Sequence, residues 1–398
     1  MQAGLILARN LRPIGRRWRA ISLRRRVVLG LIAAVMAWWG LIRVYDWWTG
    51  WPARLVLRVD GEHFPIAFSP DGATLATRSF GGAGILLWDA ATGRRRASWP
   101  GGSKQMRFAG AFSPDGKTFA SNTHVPSSGR NFSVDLIDVA TGEVRSTFQA
   151  PLAGFLELRF LDGGRTIRLV TEGISPGSPT AKTDRMMTHV EVATGRHLST
   201  RTLSCPTTPG MVAVSNDGRL LALTDPAVAG SPPPLTKLTL WDLDTDREVG
   251  KFPDIAGRVT TSRAMAFSPD DRSLAVGLND GSIAVFDVST RRLRSTFPAH
   301  GGNFSPMMLN FSPDGSTISS LGHITNRKPS VDLVRMYAAH FFNDPDHATQ
   351  YEIVLLDAAT GRRKAYSRWD ILAVFSSDGR TVASGHVDGA VRIRDVPE

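Results

Sequence analysis

The sequence predicts an all-β fold in which seven similar antiparallel sheets stack radially, preceded by a single apolar helix. Three observations predict it: a unit recurs seven times, each copy holds apolar runs separated by turn residues, and one charge-free segment precedes the copies. The chain has 398 residues, of which 42% are hydrophobic and 21% charged. This composition is that of a globular protein and excludes a wholly disordered or collagen-like chain.

Each repeated unit opens with a tight turn. Clear copies read Phe-Ser-Pro-Asp-Gly or a close variant and start at Phe68, Phe112, Phe267, Phe311 and Phe375, and two more divergent copies start at Phe160 and Val214. Proline fixes φ and glycine tolerates positive φ, so the segment suits a turn between antiparallel strands. Each opening is followed by a second apolar run that ends in an acidic residue, at Asp89, Asp138, Glu191, Asp242, Asp287, Asp357 and Asp395.

With Phe-Ser-Pro-Asp-Gly openings and Leu-Trp-Asp runs followed by Thr-Gly, these units resemble the WD-repeat β-propeller family over residues 53–398. The resemblance implies a seven-bladed β-propeller of four-stranded antiparallel blades. The last copy ends after its third strand, and the strand-like run Ala53–Val59 has no blade of its own. In the family an N-terminal strand commonly completes the last blade, so the resemblance implies the same role for Ala53–Val59.

The spacing of the copies indicates where residues have been added. Successive openings are 44 to 64 residues apart, and the distance from an opening to its acidic residue varies from 20 to 46. The surplus is predicted to lie between the second and third strands of a blade, on the same rim as the connections between blades. Since loops on a rigid scaffold commonly carry binding sites, this rim is the predicted binding face, although neutral surface insertions remain the alternative.

The longest insertion, Ile318–Glu352, supplies the candidate binding residues. Aromatic and arginine side chains anchor protein interfaces, so the predicted partner-binding set is Arg327, Lys328, Arg335, Tyr337, Phe341 and Phe342. The same stretch also reads as a helix whose apolar residues pack on the rim, and this alternative stays open.

The formal charge of +11 is concentrated at the N-terminus. Eight arginines and no acidic residue lie between Met1 and Arg26, so the remainder of the chain is close to neutral. A nearly neutral body does not bind phosphates through clustered charge, and no nucleic-acid partner is predicted.

An apolar segment follows the arginines. Val27–Ile42 carries no charge, and with Val44 and Tyr45 it is long enough for a short membrane-spanning helix. The predicted organisation is a basic cytoplasmic segment 1–26, a transmembrane helix or signal anchor 27–45, a linker 46–52 and an extracytoplasmic propeller 53–398, in the periplasm or at the cell surface. A signal peptide cleaved after Ala37 is the alternative.

Signals for chemistry are weak. Cys205 is the single cysteine, and no nucleophile-elbow, zinc-protease or P-loop motif is present, so neither catalytic residues nor a cofactor or metal are predicted. In the family an internal tetrad consists of a histidine between blades, a serine or threonine in a strand, an aspartate in a turn and a tryptophan. The tryptophan is retained here at Trp88 and Trp241 and is replaced by Ile137, Phe286, Leu356 and Arg394 in other copies.

The sequence therefore favours a monomeric, membrane-tethered propeller that binds protein partners as a scaffold, without enzymatic activity. The alternative is an exported enzymatic or accessory propeller of the TolB-like type, released by signal cleavage. The excess of arginine over lysine suggests a GC-rich bacterial source.

Overall fold

The computed structural model describes residues 51–58, 62–80, 84–99, 110–124, 131–151, 153–174, 183–205, 212–224, 238–253, 264–301, 304–324, 351–368, 370–386 and 388–398. The chain divides into two units, Met1–Pro52 and Ala53–Glu398. Only Trp51 and Pro52 of the first unit belong to the described residues. The predicted segments 1–26 and 27–45 therefore lie outside them.

The second unit forms seven four-stranded antiparallel sheets, here called blades 1 to 7, whose strands are labelled a to d from the axis outwards. Blade 1 holds β2 (Glu62–Phe68), β3 (Thr74–Phe80), β4 (Ile85–Asp89) and β5 (Arg95–Trp99). Blade 2 holds β6 (Gly110–Phe112), β7 (Thr118–His124), β8 (Asn131–Asp138) and β9 (Val144–Pro151). Blade 3 holds β10 (Ala153–Leu161), β11 (Thr166–Ile174), β12 (Thr183–Glu191) and β13 (His197–Leu203).

Blade 4 holds β14 (Val212–Val214), β15 (Leu220–Thr224), β16 (Leu238–Asp242) and β17 (Arg247–Lys251). Blade 5 holds β18 (Met265–Phe267), β19 (Ser273–Gly277), β20 (Ser282–Asp287) and β21 (Leu293–Pro298). Blade 6 holds β22 (Phe304–Phe311), β23 (Thr317–Ile324), β24 (Tyr351–Asp357) and β25 (Arg363–Arg368). Blade 7 holds β26 (Asp370–Phe375), β27 (Thr381–His386), β28 (Val391–Asp395) and, as its strand d, β1 (Leu55–Leu57).

The N-terminal strand completes the last blade, as the sequence predicted. Leu55 pairs with Ile393, and Leu57 pairs with Val391, in an antiparallel register. Each strand a contacts the strands a of both neighbouring blades, including β26 with β2. The all-β, seven-bladed prediction is confirmed, and the ring is closed.

The recurring openings form tight turns between strands a and b. In blade 2, the Ser113 hydroxyl donates to Asp115 Oδ1 at 2.6 Å and accepts from the Thr118 amide at 2.9 Å. Gly116 takes a φ of 69°, in the left-handed region that glycine tolerates. The Ser-Asp pair therefore satisfies backbone groups that the tight turn leaves unpaired.

A second aspartate closes the turn between strands c and d. In blade 5, Asp287 Oδ1 accepts hydrogen bonds from the Thr290 amide at 2.8 Å and from the Thr290 hydroxyl at 2.9 Å. Asp138 and Asp242 make the equivalent bonds to the amides of Thr141 and Thr245. These acidic residues build turns, which accounts for most of the aspartates in the repeats.

The turn aspartates predict acid sensitivity. In the opening turns, a hydrogen bond from the serine two residues earlier lowers the pKa of Asp71, Asp115 and Asp378. In the turns between strands c and d, hydrogen bonds from backbone amides lower the pKa of Asp138 and Asp287. A depressed pKa in the folded state contributes stability above the unfolded pKa of about 4, and this contribution is lost as the pH falls through the folded value. We expect the urea midpoint to be level from pH 7 to pH 5 and to fall steadily below pH 4. A midpoint that does not change down to pH 2 would contradict this role.

The hydrophobic core is divided among the seams between blades. The seam between blades 1 and 2 holds Ala76, Leu87 and Trp99 of blade 1 against Phe112 and Phe119 of blade 2, all buried. Similar clusters join blades 2 and 3, 3 and 4, 4 and 5, 5 and 6, and 7 and 1. Phe68 and Phe112 therefore face the preceding blade, whereas Ala67 and Ala266, each directly before an opening phenylalanine, face the following blade.

One turn departs from the repeat in a way that ties two blades together. Asp271 stands where other openings have glycine and adopts a φ of 58°. Its carboxylate accepts hydrogen bonds from the backbone amides of Asn216 at 2.5 Å and of Asp217 at 2.7 Å, both in the opening turn of blade 4. These bonds between blades 4 and 5 offset the strain of a non-glycine residue in the left-handed region.

Candidate functional site

The two ends of the ring differ in the length of their connections. The end with the a–b and c–d turns, here called the turn face, has short connections throughout the described residues. The opposite end, here called the loop face, carries the b–c connections and the connections between blades. Of its b–c connections, 278–281 and 387–390 are tight, whereas 225–237 and 325–350 are long. The predicted placement of the largest insertions between the second and third strands is confirmed, and connections between blades such as 100–109 also vary in length.

The predicted partner-binding residues Arg327, Lys328, Arg335, Tyr337, Phe341 and Phe342 lie outside the described residues. Their assignment to a binding surface stays a prediction. The predicted bounds of the insertion, Ile318–Glu352, are too wide, because Ile318–Ile324 belong to β23 and Tyr351 and Glu352 belong to β24. The connection between these strands is 325–350, and His323 pairs with Tyr351 at its root.

A buried hydrogen-bond relay holds the root of the 325–350 insertion. His300, from the connection between blades 5 and 6, contacts Ser320 Oγ through Nε2 and Glu352 Oε1 through Nδ1, each at 2.7 Å. Ser320 lies in β23, and Glu352 is the second residue of β24. A Cβ on Gly322 would lie 2.5 Å from the His300 ring, so glycine lets the ring seat against β23. The relay ties both ends of the insertion to one imidazole.

The Ser-His-Glu order of this relay is that of a hydrolytic triad, but its burial opposes catalysis. Ser320 is 0% exposed, and the His300 side chain is 0% exposed. A nucleophile must reach its substrate, and this hydroxyl is enclosed by packed strands. The relay therefore acts as structural support for the insertion.

Two buried arginines also stabilise the strands near the loop face. Arg78 in blade 1 is 1% exposed and donates to the backbone carbonyl of Asn122 in blade 2 at 2.8 Å. Burial lowers the pKa of Arg78 to about 10, so the guanidinium stays charged at neutral pH. Arg185 in blade 3 is equally buried and lies 3.9 Å from Cys205 Sγ. Both cations are part of the seams rather than of an open surface.

The described residues contain no group of three or more His, Cys, Asp or Glu side chains placed to hold a metal ion. Within those same residues there is also no helix of sufficient length and hydropathy to cross a membrane. The predicted segment 27–45 falls outside that search.

A family model described as "WD domain, G-beta repeat" matches residues 257–287 and 364–395. The first match includes strands a to c of blade 5, the second includes strands a to c of blade 7, and they end at Asp287 and Asp395. Together with the seven closed four-stranded blades, these matches decide the family. The chain is a WD-repeat β-propeller. No curated protein sequence matches it.

The tetrad of this WD-repeat propeller survives only in parts. In blade 1, Trp88 Nε1 donates to Thr77 Oγ1 at 2.8 Å. In blade 4, Trp241 Nε1 instead donates to Asp246 Oδ1 in the following turn, at 3.0 Å. Blade 6 keeps the histidine and serine, His300 and Ser320, without a tryptophan at Leu356.

Sequence reasoning did not find His300 or Glu352 as the support of the longest insertion. The signal that could have found them was their position in the repeat. His300 follows strand d of blade 5, where the family has its inter-blade histidine, and Glu352 lies at the start of β24, the strand after the insertion. Their partnership spans 52 residues of sequence, so no local pattern reveals it.

Proposed function

We propose that this WD-repeat propeller is a non-catalytic protein-binding scaffold that engages its partner through the loop face. WD-repeat propellers commonly serve as protein-interaction scaffolds. The observation that carries the proposal is the asymmetry of the ring: the turn face is uniform, whereas the loop face has connections such as 225–237 and 325–350. Loops of variable length on a rigid scaffold provide recognition surfaces without disturbing the core.

The 325–350 insertion is the proposed principal contact. The relay of His300, Ser320 and Glu352 joins β23 and β24, the two strands from which this insertion leaves the blade. Its sequence contains the arginine and aromatic side chains typical of interface anchors, including Arg335, Tyr337 and Phe341.

A loop graft tests this contact. Residues 278–281 close blade 5 with a tight turn in which the Gly281 amide donates to the Leu278 carbonyl at 3.1 Å. We expect replacement of 325–350 by a copy of 278–281 to leave the urea midpoint nearly unchanged and to abolish recovery of partners in crosslinking pull-downs from the source cells.

The matched control replaces 225–237 in blade 4 by the same four residues. This graft removes a long connection from the same face without touching the proposed contact, so partner recovery should persist. Equal partner recovery with and without 325–350, in folded protein, would reject the choice of site.

We further propose that residues 27–45 hold the propeller at a membrane, with the eight N-terminal arginines on the cytoplasmic side. The charge-free run Val27–Ile42 and the preceding arginines support this proposal. The full chain should resist carbonate extraction from membranes, and a chain starting at Ala53 should be soluble. A mature N-terminus at Trp38 would instead support the cleaved, exported alternative.

A further inference from the structure

Blade 3 carries two arginines in a row of paired residues that holds no charged side chain in the other blades. In each blade, one residue from each of the four strands pairs with its neighbours to form a row across the sheet. In blade 1 this row consists of Ala67, Ala76, Leu87 and Ala97. In blade 3 the same row reads Arg159, Arg168, His189, Ser199. The remaining rows contain no charged residue: Ala111, Ala120, Leu136, Ser146; Ala213, Ala222, Leu240, Gly250; Ala266, Ala275, Val285, Ser295; Asn310, Ser319, Leu355, Ala365; and Val374, Ala383, Ile393, Leu55.

The charged row faces blade 4, which is shaped to receive it. Arg159 Nη1 donates to the Asn216 carbonyl, and Arg168 lies over Gly218, where a Cβ would fall 1.8 Å from its Nη2 atom. Blade 4 has Val214 at the position where the other six blades have phenylalanine. The smaller side chain and the glycine provide room for two guanidinium groups inside the seam.

Arg159 and Arg168 share one carboxylate, Glu157, as their direct partner. Glu157 serves both arginines, since its Oε1 accepts Arg159 Nε at 2.7 Å and its Oε2 lies 3.5 Å from Arg168 Nη2. The Arg168 side chain is only 4% exposed, and its Nε and Nη2 atoms have no hydrogen-bond acceptor among the described residues. Burial, with Arg168 and Arg201 nearby, lowers the pKa of His189, and Asp162 and Asp244 oppose this shift. Among the described residues Glu157 is the carboxylate in contact with both arginines, and Asp244 attracts Arg168 from a longer distance.

A cavity on the ring axis reaches this cluster. It has a volume of about 490 Å³ and is bounded by strands a of blades 3 to 6. Glu157, Arg159, Asn216 and Asn310 form its polar lining, Phe267 and Phe311 form an apolar wall, and Pro313 lies in the adjoining opening turn of blade 6. This volume suits a small organic molecule.

We propose that this axial cavity binds a small organic anion with an apolar body, such as an aromatic or aliphatic carboxylate. Arg159 is the anion-binding residue: its side chain is 28% exposed, and the described residues supply acceptors for only two of its five N–H donors. Arg168 lies in the neighbouring strand and adds a second positive charge close to the site. The apolar wall accommodates the body of the ligand. This site is separate from the proposed partner contact on the loop face.

The experiment uses 2-naphthoate as the probe and 2-naphthylmethanol as its neutral counterpart, titrated into the full chain by calorimetry. We expect one naphthoate site per chain and at least tenfold weaker binding of the alcohol. The R159Q substitution should reduce naphthoate binding at least tenfold, to the level of the alcohol. The R165Q substitution, which removes an exposed arginine in the a–b turn of the same blade, should leave binding unchanged.

A second variant gives a result in the opposite direction. E157Q removes the carboxylate that competes for Arg159, so naphthoate should bind at least threefold more tightly and should raise the melting temperature of E157Q more than that of the natural chain. Naphthoate affinity that is unchanged in R159Q, or lowered in E157Q, would overturn the proposal, as would equal affinity for the acid and the alcohol.

Discussion

A chain that lacks residues 53–58 is expected to lose cooperative unfolding, because this segment supplies the outer strand of blade 7. Leu57 is 3% exposed and belongs to the cluster that joins blades 7 and 1, against Trp88 and Ile393. A Cβ on Gly93 would lie 3.0 Å from side-chain atoms of Leu55 and Leu57, so β1 also contacts a turn of blade 1. Removing β1 leaves an open edge in blade 7 and takes its packing from blade 1.

Point substitutions in β1 separate the effect of lost side-chain packing from the effect of deleting the strand. Leu57→Ala should lower the free energy of unfolding by about 2–5 kcal/mol, since it removes a buried leucine from a seam. Val56→Ala is the matched control: Val56 is 40% exposed, and its loss should change stability by about 0.5 kcal/mol or less. Urea unfolding monitored by tryptophan fluorescence measures both. Equal effects of the two substitutions would contradict the pairing.

The second large effect is expected at Arg394. This residue occupies in β28 the position that Trp88 occupies in β4, and it donates to Ser384 Oγ at 2.6 Å, as Trp88 donates to Thr77. Its Nη2 atom also lies 2.8 Å from Asp370 Oδ2, and both side chains are almost completely buried. Arg394→Met would leave the Asp370 carboxylate without its counter-charge, and we expect a loss of about 3–5 kcal/mol.

A double variant distinguishes the charge pair from general packing. Arg394→Trp combined with Asp370→Asn replaces the ion pair by the arrangement of blade 1, with Ser384 accepting from the indole. We expect the double variant to be more stable than Arg394→Met, because no charge is left buried and unpaired. If the losses of free energy of unfolding in Arg394→Trp alone and in Asp370→Asn alone add up to the loss in the double variant, measured by urea unfolding, the ion pair has no special role.

Much of the fold was predictable because the repeat places the same chemistry in every blade. The openings at Phe68 and its equivalents and the acidic ends of the strands c fixed the number of blades. The run Ala53–Val59 was left over when the last copy ended at Asp395, and its pairing with β28 followed from that mismatch. Hydrophobic alternation and turn residues are local signals, so a single sequence reveals them.

The side-chain contacts between blades were not predictable in the same way. Asp271 binds the Asn216 amide across 55 residues, and His300 contacts Glu352 across 52. Such partners meet only when the ring has formed. The charged row of blade 3 did leave a signal, because Arg159 and Arg168 interrupt an otherwise small and apolar pattern, but its significance depends on the register of all seven sheets.

Ring closure through the N-terminal strand is the claim on which the rest depends, and a disulfide tests it most directly. Val56 and Arg392 are cross-strand partners on one face of blade 7, whereas Ile393 faces the other side. Burial raises the pKa of the natural Cys205 thiol, which keeps it from competing. A V56C/R392C variant should form an intramolecular disulfide on mild oxidation, seen by mass spectrometry after proteolysis, and V56C/I393C should not. Free thiols at 56 and 392 in folded protein would contradict the closed ring.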